Sequence, residues 1–173
     1  TGDNGGGGYA ETDPPNFTGS FYSRTKAMSE QLLRDNDTLQ LRIRMPIDTD
    51  ISGERNLIGK LVGFDRVIDV KNSLTVVEDM ISAAERLMEE DKRGVFNVVN
   101  PGPMTHPQIL DMYSRLVAPI EYEIISVNEL DEMLLASRSN CVLDTKKLEK
   151  VIRLPPTRER IEGLMRDYAK VGD

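Results

Sequence analysis

Tyr22 and Lys26 stand four residues apart in the stretch Tyr22-Ser23-Arg24-Thr25-Lys26. On a helix that spacing puts a phenol and an ammonium on one face, one turn apart. The pair has a chemical use, because an ammonium stabilises a nearby phenolate. A tyrosine so placed can hand its proton to a carbonyl oxygen while hydride reaches the carbon. Alone the pattern is weak, since tyrosine and lysine meet at this spacing on many surface helices, so the flanking sequence has to decide. Other chemistry-bearing residues are sparser. His106, the only histidine, stands beside Pro107 at an expected helix start and reads as part of a capping turn. Cys141, the only cysteine, reads as a partly buried structural thiol. The run Glu89-Glu90-Asp91-Lys92-Arg93 reads as a solvated helix end. No cluster has metal-ligand spacing, and no metal is expected.

These groups need elements to hold them. Good helix formers over residues 22–34, with Met28, Leu32 and Leu33 as an apolar stripe after Gly19 and Ser20, predict a helix that carries the pair. Leu39, Leu41 and Ile43 alternate with Gln40, Arg42 and Arg44, the period of a strand, which Pro46 ends. A helix over residues 57–64 and a short strand at Val67-Ile68 follow. Thr75 with Glu78 makes a capping box for a helix whose inner face would be Val77, Met80, Ile81, Ala84, Leu87 and Met88. Val95-Phe96-Asn97-Val98-Val99 has the composition of a strand buried on both faces of a parallel sheet, and Asn100-Pro101-Gly102 closes it.

A second capping box, Thr105 with Gln108, opens a helix with Ile109, Leu110, Tyr113 and Leu116 on one side. Beyond it the pattern gives a strand over 122–125, a helix over 127–135 and a short helix over 145–151 capped by Asp144. A last helix follows Pro155-Pro156, with Thr157 as N-cap and Ile161, Leu164, Met165 and Tyr168 spaced for burial. Helices and strands alternate, which points to an α/β domain. Thr1-Gly2-Asp3-Asn4 and the glycines from Gly5 to Gly8 read as a flexible loop or a chain start over residues 1–15. They are no phosphate-binding fingerprint, which needs a strand before and a helix after; Asp13-Pro14-Pro15 follows instead.

A chain of 173 residues is long enough for one domain with an apolar core, and residues 16–173 show no composition shift that would divide them. A net charge of -7 and a pI near 4.9 argue against a nucleic-acid partner, whose phosphates need a broad basic surface. One cysteine excludes an internal disulfide and removes any need for an oxidising compartment. No apolar run approaches the roughly 20 residues of a membrane span, and the start lacks the pattern of a signal peptide. A soluble, cytoplasmic protein is expected.

What raises Tyr22 and Lys26 above chance is the window Asn16-Phe17-Thr18-Gly19-Ser20-Phe21-Tyr22-Ser23-Arg24-Thr25-Lys26-Ala27-Met28. It closely resembles the bifunctional 3,5-epimerase/4-reductases that finish nucleotide-rhamnose synthesis in plants and some viruses. The likeness continues, in the family's order, through Leu41-Arg42-Ile43-Arg44-Met45-Pro46-Ile47, Ser73-Leu74-Thr75-Val76, Gly94-Val95-Phe96-Asn97, Asn100-Pro101-Gly102, Ile109-Leu110-Asp111-Met112-Tyr113 and Arg138-Ser139-Asn140. It covers nearly everything from about Tyr9 onward.

This resemblance implies a fold: the carboxy-terminal part of a Rossmann-type extended short-chain dehydrogenase/reductase, without the amino-terminal dinucleotide-binding half and its glycine fingerprint. It also implies an activity, the NADPH-dependent 4-keto reduction of a UDP- or dTDP-4-keto-6-deoxyglucose, with 3,5-epimerisation beside it. Tyr22 would be the general acid, and Lys26 would assist it while holding the nicotinamide ribose. Arg44, Met45, Pro46 and Ile47, just past a strand, would lie against the nicotinamide of NADP, in keeping with ligands binding beyond the carboxyl ends of parallel strands. Lys60 falls on the lysine of the family's epimerase step. Arg138 and Asn140 match a segment near the sugar nucleotide, and an arginine suits phosphate contacts; a plain surface loop is the competing reading. Asn56 reads either as a contact to the diphosphate or as the cap of the helix after it.

One departure bears on the epimerase step, where Lys60 should pair with a cysteine after an upstream Thr-Gly, because one group must take a proton and another return it on the opposite face. Asp3 follows Thr1-Gly2. Either Thr1 is the family's threonine with the cysteine lost, or the chain begins within the following loop; the ungapped match over residues 8–17 favours the second. Partners implied are the nucleotide sugar, and either a second copy in a homodimer or a complementing amino-terminal half. The isolated 173 residues are expected to be inactive. The alternative is a catalytically dead sugar-nucleotide or partner-binding domain.

Overall fold

The computed structural model describes residues 2–34, 36–135 and 138–171, the side chain of Val171 excepted. Helix α1 (Phe21–Leu33) begins after Ser20, whose extended backbone lets its hydroxyl accept the Ser23 N–H. No residue of α1 is buried. The stripe that periodicity turned inward is open instead, with Met28 at 61% and Leu32 at 75% exposure, because nothing else in the described chain covers that face. Strand β1 (Leu39–Arg42) stops before Ile43 and pairs in parallel with β5 (Gly94–Asn97). Its chain then turns through Met45, at φ 42°, into β2 (Pro46–Ile47). The alternating run is therefore a strand only over its first four residues, and Pro46, read as its end, opens a strand of a second sheet.

The second sheet holds the main core. β2 lies parallel to β4 (Asn72–Val76), and β4 lies antiparallel to β6 (Asn100–Met104). The strand expected over 95–99 thus ends at Asn97, and Asn100-Pro101-Gly102 opens a strand of its own. Pro101 and Pro103 fall between the paired positions Asn100 and Met104, where a missing N–H costs the ladder little. Against this sheet pack α2 (Leu57–Val62), α4 (His106–Leu116) and α6 (Thr157–Val171). Ile47, Ile58, Leu74, Ile109, Ile161 and Met165 are among the fully buried side chains between them. At α4 the Thr105–Gln108 capping box is formed as the sequence predicts.

The other predicted box is absent. Thr75 belongs to the fully buried strand β4, and its hydroxyl donates to the Val98 carbonyl at 2.9 Å while accepting the Arg44 N–H at 3.0 Å. The chain passes straight into α3 (Val77–Glu89), where Asn100 accepts the Val76 N–H at 2.8 Å. Glu78 turns outward to Arg160 at 2.6 Å, and Arg160 also holds Asp79 at 2.9 Å. The inner face of α3 is built on Ala83 and Leu87 with Met80 beside them, while Ile81 and Met88 face out. This face joins Phe96, Val98, Leu148 and Leu154 in a second, smaller core.

Thr157 likewise lies inside the first turn of α6 and donates to the carbonyls of Asn100 and Pro101, both at 3.0 Å, tying the helix to β6. The remaining elements are β3 (Arg66–Ile68), parallel to β7 (Glu123–Ile125), and α5 (Val127–Met133). α5 carries a capping box of its own, Ser126 with Glu129. Where a helix was expected over 145–151, a single 3-10 turn spans Leu148–Lys150, with Asp144 accepting the Lys146 N–H at 2.7 Å ahead of it. Lys147 fastens this turn to β5, donating to the Val95 carbonyl with its ammonium 4.0 Å from the centre of the Phe96 ring.

Two outcomes test this packing. Gly59 sits in α2 where an added Cβ would meet the carbonyls of Gly53, Ser52 and Ile51 at 2.8, 3.0 and 3.1 Å. Gly59→Ala should cost about 1–3 kcal/mol in urea unfolding, against the small gain that alanine normally brings a helix. Burial pushes the His106 imidazole below its ordinary value of 6.5, and Nε2 is buried without a partner among the described residues. The unfolded chain therefore binds the proton first, so stability is full above pH 6.5 and falls as the pH drops below it. His106→Asn should flatten that fall in denaturation curves at pH 7.5 and 5.5.

Candidate active site

A cavity of about 260 Å³ opens where α1, the end of β1 and the segment 139–143 meet. α1 contributes Tyr22, Ser23 and Lys26; the sheet side contributes Arg42, Ile43 and Arg44; the far wall is Ser139, Cys141 and Leu143. Residues 13–17 and Tyr9 complete the rim. The four-residue spacing does what it predicts: Lys26 Nζ lies 5.7 Å from the centre of the Tyr22 ring. Tyr22 is 69% exposed, so a carbonyl compound can reach its hydroxyl.

With no buried residue of its own, α1 depends on polar anchors. The main one is Glu30, whose two carboxylate oxygens receive Arg42 Nη2 at 2.6 Å and Nε at 2.8 Å, a paired geometry that suits guanidinium. The rest of the Arg42 head group donates to the carbonyls of Ala10 (3.1 Å) and Asp13 (3.0 Å). One guanidinium therefore joins β1, α1 and the loop in front of it. Burial raises the Glu30 carboxyl, but hydrogen bonds and charge from Arg42, with Arg34 adding to them, outweigh this and hold it below the usual value.

Arg44 is the second strut. Nη2 donates to Asn72 Oδ1 at 2.6 Å and to the Ser139 carbonyl at 2.7 Å, Nη1 reaches Ser139 Oγ at 3.4 Å, and Nε is buried without a partner among the described residues. Of the residues assigned to the nicotinamide from sequence, Tyr22, Lys26 and Arg44 converge on the cavity. Met45, Pro46 and Ile47 do not line it: Met45 packs against the main core and Ile47 is buried within it. Asn56 is 2% exposed and caps α2, accepting the Ile58 N–H at 3.0 Å while its amide donates to Asp48 and to the Asp50 carbonyl. Lys60 is exposed on α2, away from the cavity lining. Arg138 is exposed, and Asn140 faces Asn72 rather than the cavity, so the wall is formed by the residues on either side of it.

The loop of residues 2–10 leans on the same wall, with parallel bridges from Gly2 to Cys141 and from Tyr9 to Leu143. Gly8, at φ 78°, passes so close to the backbone that an added Cβ would come within 2.8 Å of Asp144 N. Sequence reasoning missed Glu30, Arg42 and Asn72, and also the wall itself. The one available signal was the alternation of Ser139, Cys141 and Leu143 with Asn140 and Val142, a strand period too short to stand out. Among the described residues no group of His, Cys, Asp and Glu has the makings of a metal site, and no helix is long and apolar enough to cross a membrane.

Comparison with known proteins fits this arrangement. No protein-family model matches the chain. It is 41% identical over 145 residues to an Arabidopsis thaliana trifunctional UDP-glucose 4,6-dehydratase/UDP-4-keto-6-deoxy-D-glucose 3,5-epimerase/UDP-4-keto-L-rhamnose-reductase, covering 83% of this chain and 22% of the relative. To an Arabidopsis bifunctional dTDP-4-dehydrorhamnose 3,5-epimerase/dTDP-4-dehydrorhamnose reductase it is 38% identical, over 82% of this chain and 48% of the relative. The crystal structure of the L780 UDP-rhamnose synthase from Acanthamoeba polyphaga mimivirus superposes with a TM-score of 0.87 at 34% identity, covering 92% of this chain and 57% of that one. The homologues of this chain are nucleotide-rhamnose epimerase/reductases. The chain corresponds to the carboxy-terminal part of these relatives and spans half their length or less among the curated ones. At the level of fold alone, a dTDP-4-dehydrorhamnose reductase from Bacillus anthracis, crystallised with NADP, superposes with a TM-score of 0.70 at 15% identity.

The Glu30–Arg42 joint gives a direct test. Glu30→Gln should cost about 1–3 kcal/mol at pH 7, the range for a hydrogen bond to a charged group, and should speed hydrogen exchange in α1. Because the folded carboxyl titrates below its ordinary 4.5, its contribution is present above that pH and disappears as the pH falls through the lower, folded value. Urea midpoints of the unaltered chain and Glu30→Gln should therefore converge as the pH is lowered from 4.5.

Proposed function

We propose that these residues form the substrate side of a nicotinamide-dependent reductase acting on the keto group of a 4-keto-6-deoxy nucleotide sugar in nucleotide-rhamnose synthesis. The observation that carries this reading is the convergence of Tyr22, Lys26 and Arg44 on one cavity, in a chain that shares its sequence with enzymes of that name. The residues fit a nicotinamide cofactor: a phenol and an ammonium stand at the cavity, and Arg44 Nε is a buried donor still lacking a partner. At about 260 Å³ the cavity lies just below the ~300–1,000 Å³ usual for ligand pockets, room for one end of a ligand rather than a sugar nucleotide and a dinucleotide together.

When bound, NADPH supplies the hydride. Tyr22 gives its phenolic proton to the 4-keto oxygen, completing the alcohol, and the resulting phenolate is reprotonated from water at the open face of the cavity. Lys26 stabilises that phenolate by its charge and donates to the ribose hydroxyls. The wall of Ser139 and Cys141 contacts the sugar nucleotide, with the exposed Arg138 next to Ser139 in the chain. Lys60 serves 3,5-epimerisation only if a second proton-transfer group is brought opposite it. The dinucleotide is gripped by a region beyond these 173 residues, an amino-terminal half or a second copy, so that the isolated chain binds substrate without turning it over. A cytoplasmic site of action goes with such a substrate.

The test is to supply the purified chain with NADPH and the 4-keto-6-deoxy nucleotide sugar, alone and with an amino-terminal half from a relative, while following NADPH oxidation. Turnover should appear in the complemented mixture, and Tyr22→Phe should lower it by about 10²–10⁴-fold, the usual contribution of a positioned acid, with sugar-nucleotide affinity within about threefold. Undiminished turnover in Tyr22→Phe, or no binding of UDP-sugar and dTDP-sugar alike, would overturn the reading. Binding of the nucleotide sugar with no turnover on complementation would leave a sugar-nucleotide-binding domain.

A further inference from the structure

We infer that Asn72 is a positioning residue that sets the register of the cavity wall and holds Arg44 against it for the nucleotide sugar; the inference rests on the functional reading above. Asn72 opens β4 and is completely buried. A buried amide at a strand start is costly unless each of its polar atoms is used. Here they are. Oδ1 accepts the Cys141 N–H at 3.0 Å and Arg44 Nη2 at 2.6 Å, while Nδ2 donates to Asn140 Oδ1 at 3.0 Å and faces the Val70 carbonyl at 3.4 Å.

The next residue continues the pattern. The Ser73 N–H donates to the Cys141 carbonyl at 3.0 Å, and its hydroxyl accepts the Leu143 N–H at 2.9 Å. Two side chains and one peptide of β4 thus stand in for a neighbouring strand, and segment 139–143 reads its register from them. Side chains alternate along an extended segment, so this register decides which ones face the cavity. Ser139, Cys141 and Leu143 do, whereas Asn140 is held back by Asn72 and Val142 is buried. A slip of one residue would exchange the two sets. The same oxygen that fixes Cys141 fixes Arg44, so the charged strut and the wall move as one piece.

Asn72→Asp keeps an acceptor for both Arg44 and Cys141 and loses the donor to Asn140 and to the Val70 carbonyl, whereas Asn72→Ala loses all of them. Cys141, the only cysteine, lies in the wall and reports on it through its rate of reaction with a disulfide reagent. The experiment measures that rate on the whole 173-residue chain with and without UDP, together with UDP affinity and the thermal midpoint. Asn72→Ala should change the labelling rate by at least about tenfold, weaken UDP by about tenfold and remove its protection of Cys141, as loss of a shared buried acceptor predicts. Asn72→Asp should restore affinity and labelling to within about threefold of the unaltered chain, which a general loss of stability would not do.

Should Asn72→Ala fail to fold, Ser73→Ala, which removes only the acceptor for Leu143, should show the same changes in smaller measure. Unchanged labelling and affinity in a folded Asn72→Ala, or an Asn72→Asp as impaired as the alanine variant, would overturn the inference. If the unaltered chain shows no UDP protection while Asn72→Ala still alters labelling, the nucleotide-sugar reading of the cavity fails and Asn72 is left as a purely structural clasp, which also overturns its positioning role.

Discussion

The guanidinium of Arg42 is the joint on which the site depends. A helix normally earns its place by burying an apolar face, and α1 buries none. It is held instead by charge and directed hydrogen bonds, which fix orientation more tightly than apolar contact does. Arg42 reaches Glu30 on the helix and two carbonyls in the preceding loop, so strand, helix and loop share one fastening. Arg42 and Glu30 are mostly shielded from water, with side-chain exposures of 16% and 14%, so salt screens the pair less than an exposed surface bridge. The positions of Tyr22 and Lys26 follow from that fastening rather than from the hydrophobic core.

The core contributes at one remove. Between β1 and β2 the chain turns through Met45, a non-glycine residue in a left-handed conformation directly before a proline. Such a conformation persists only where its surroundings impose it, and here Ile47 is locked into the core on one side while Thr75 grips the Arg44 N–H on the other. The turn therefore sends the backbone into the core and the Arg44 head group toward the cavity. The division of labour is clear: β4 anchors the core through its apolar residues and the cavity through its polar ones, Asn72, Ser73 and Thr75.

Much of the fold is legible in local pattern. The α/β alternation, the Thr105–Gln108 box and the Tyr22–Lys26 spacing all depend on residues close in sequence, and they formed as read. What misled were residues with two plausible partners. Thr75 and Thr157 look like caps, yet Thr75 satisfies the carbonyl of Val98, between β5 and β6, and Thr157 those of Asn100 and Pro101 in β6, demands visible only once the sheet exists. Ile81 and Met88 have helical spacing but lie on the outer face of α3, and Met28 and Leu32 do the same on α1. At the cavity, the shared face of Tyr22 and Lys26 was legible because it depends on spacing alone; the supports were not, because an arginine in a strand or a buried asparagine has many ordinary explanations. Asn56 shows the converse, a residue open to two readings whose amide is wholly occupied at the start of α2.

The bridges from Gly2 to Cys141 and from Tyr9 to Leu143 join stretches that lie far apart along the chain. Contacts of such long sequence separation come late in folding, because the loop they close carries an entropy cost that earlier structure must first offset. On the ribosome the glycine-rich loop emerges long before residues 139–143 exist. The cavity is thus closed last, when segment 139–143 meets both the loop and the β4 residues that set its register. Loop closure, and not only geometry, therefore governs when the cavity wall comes into being.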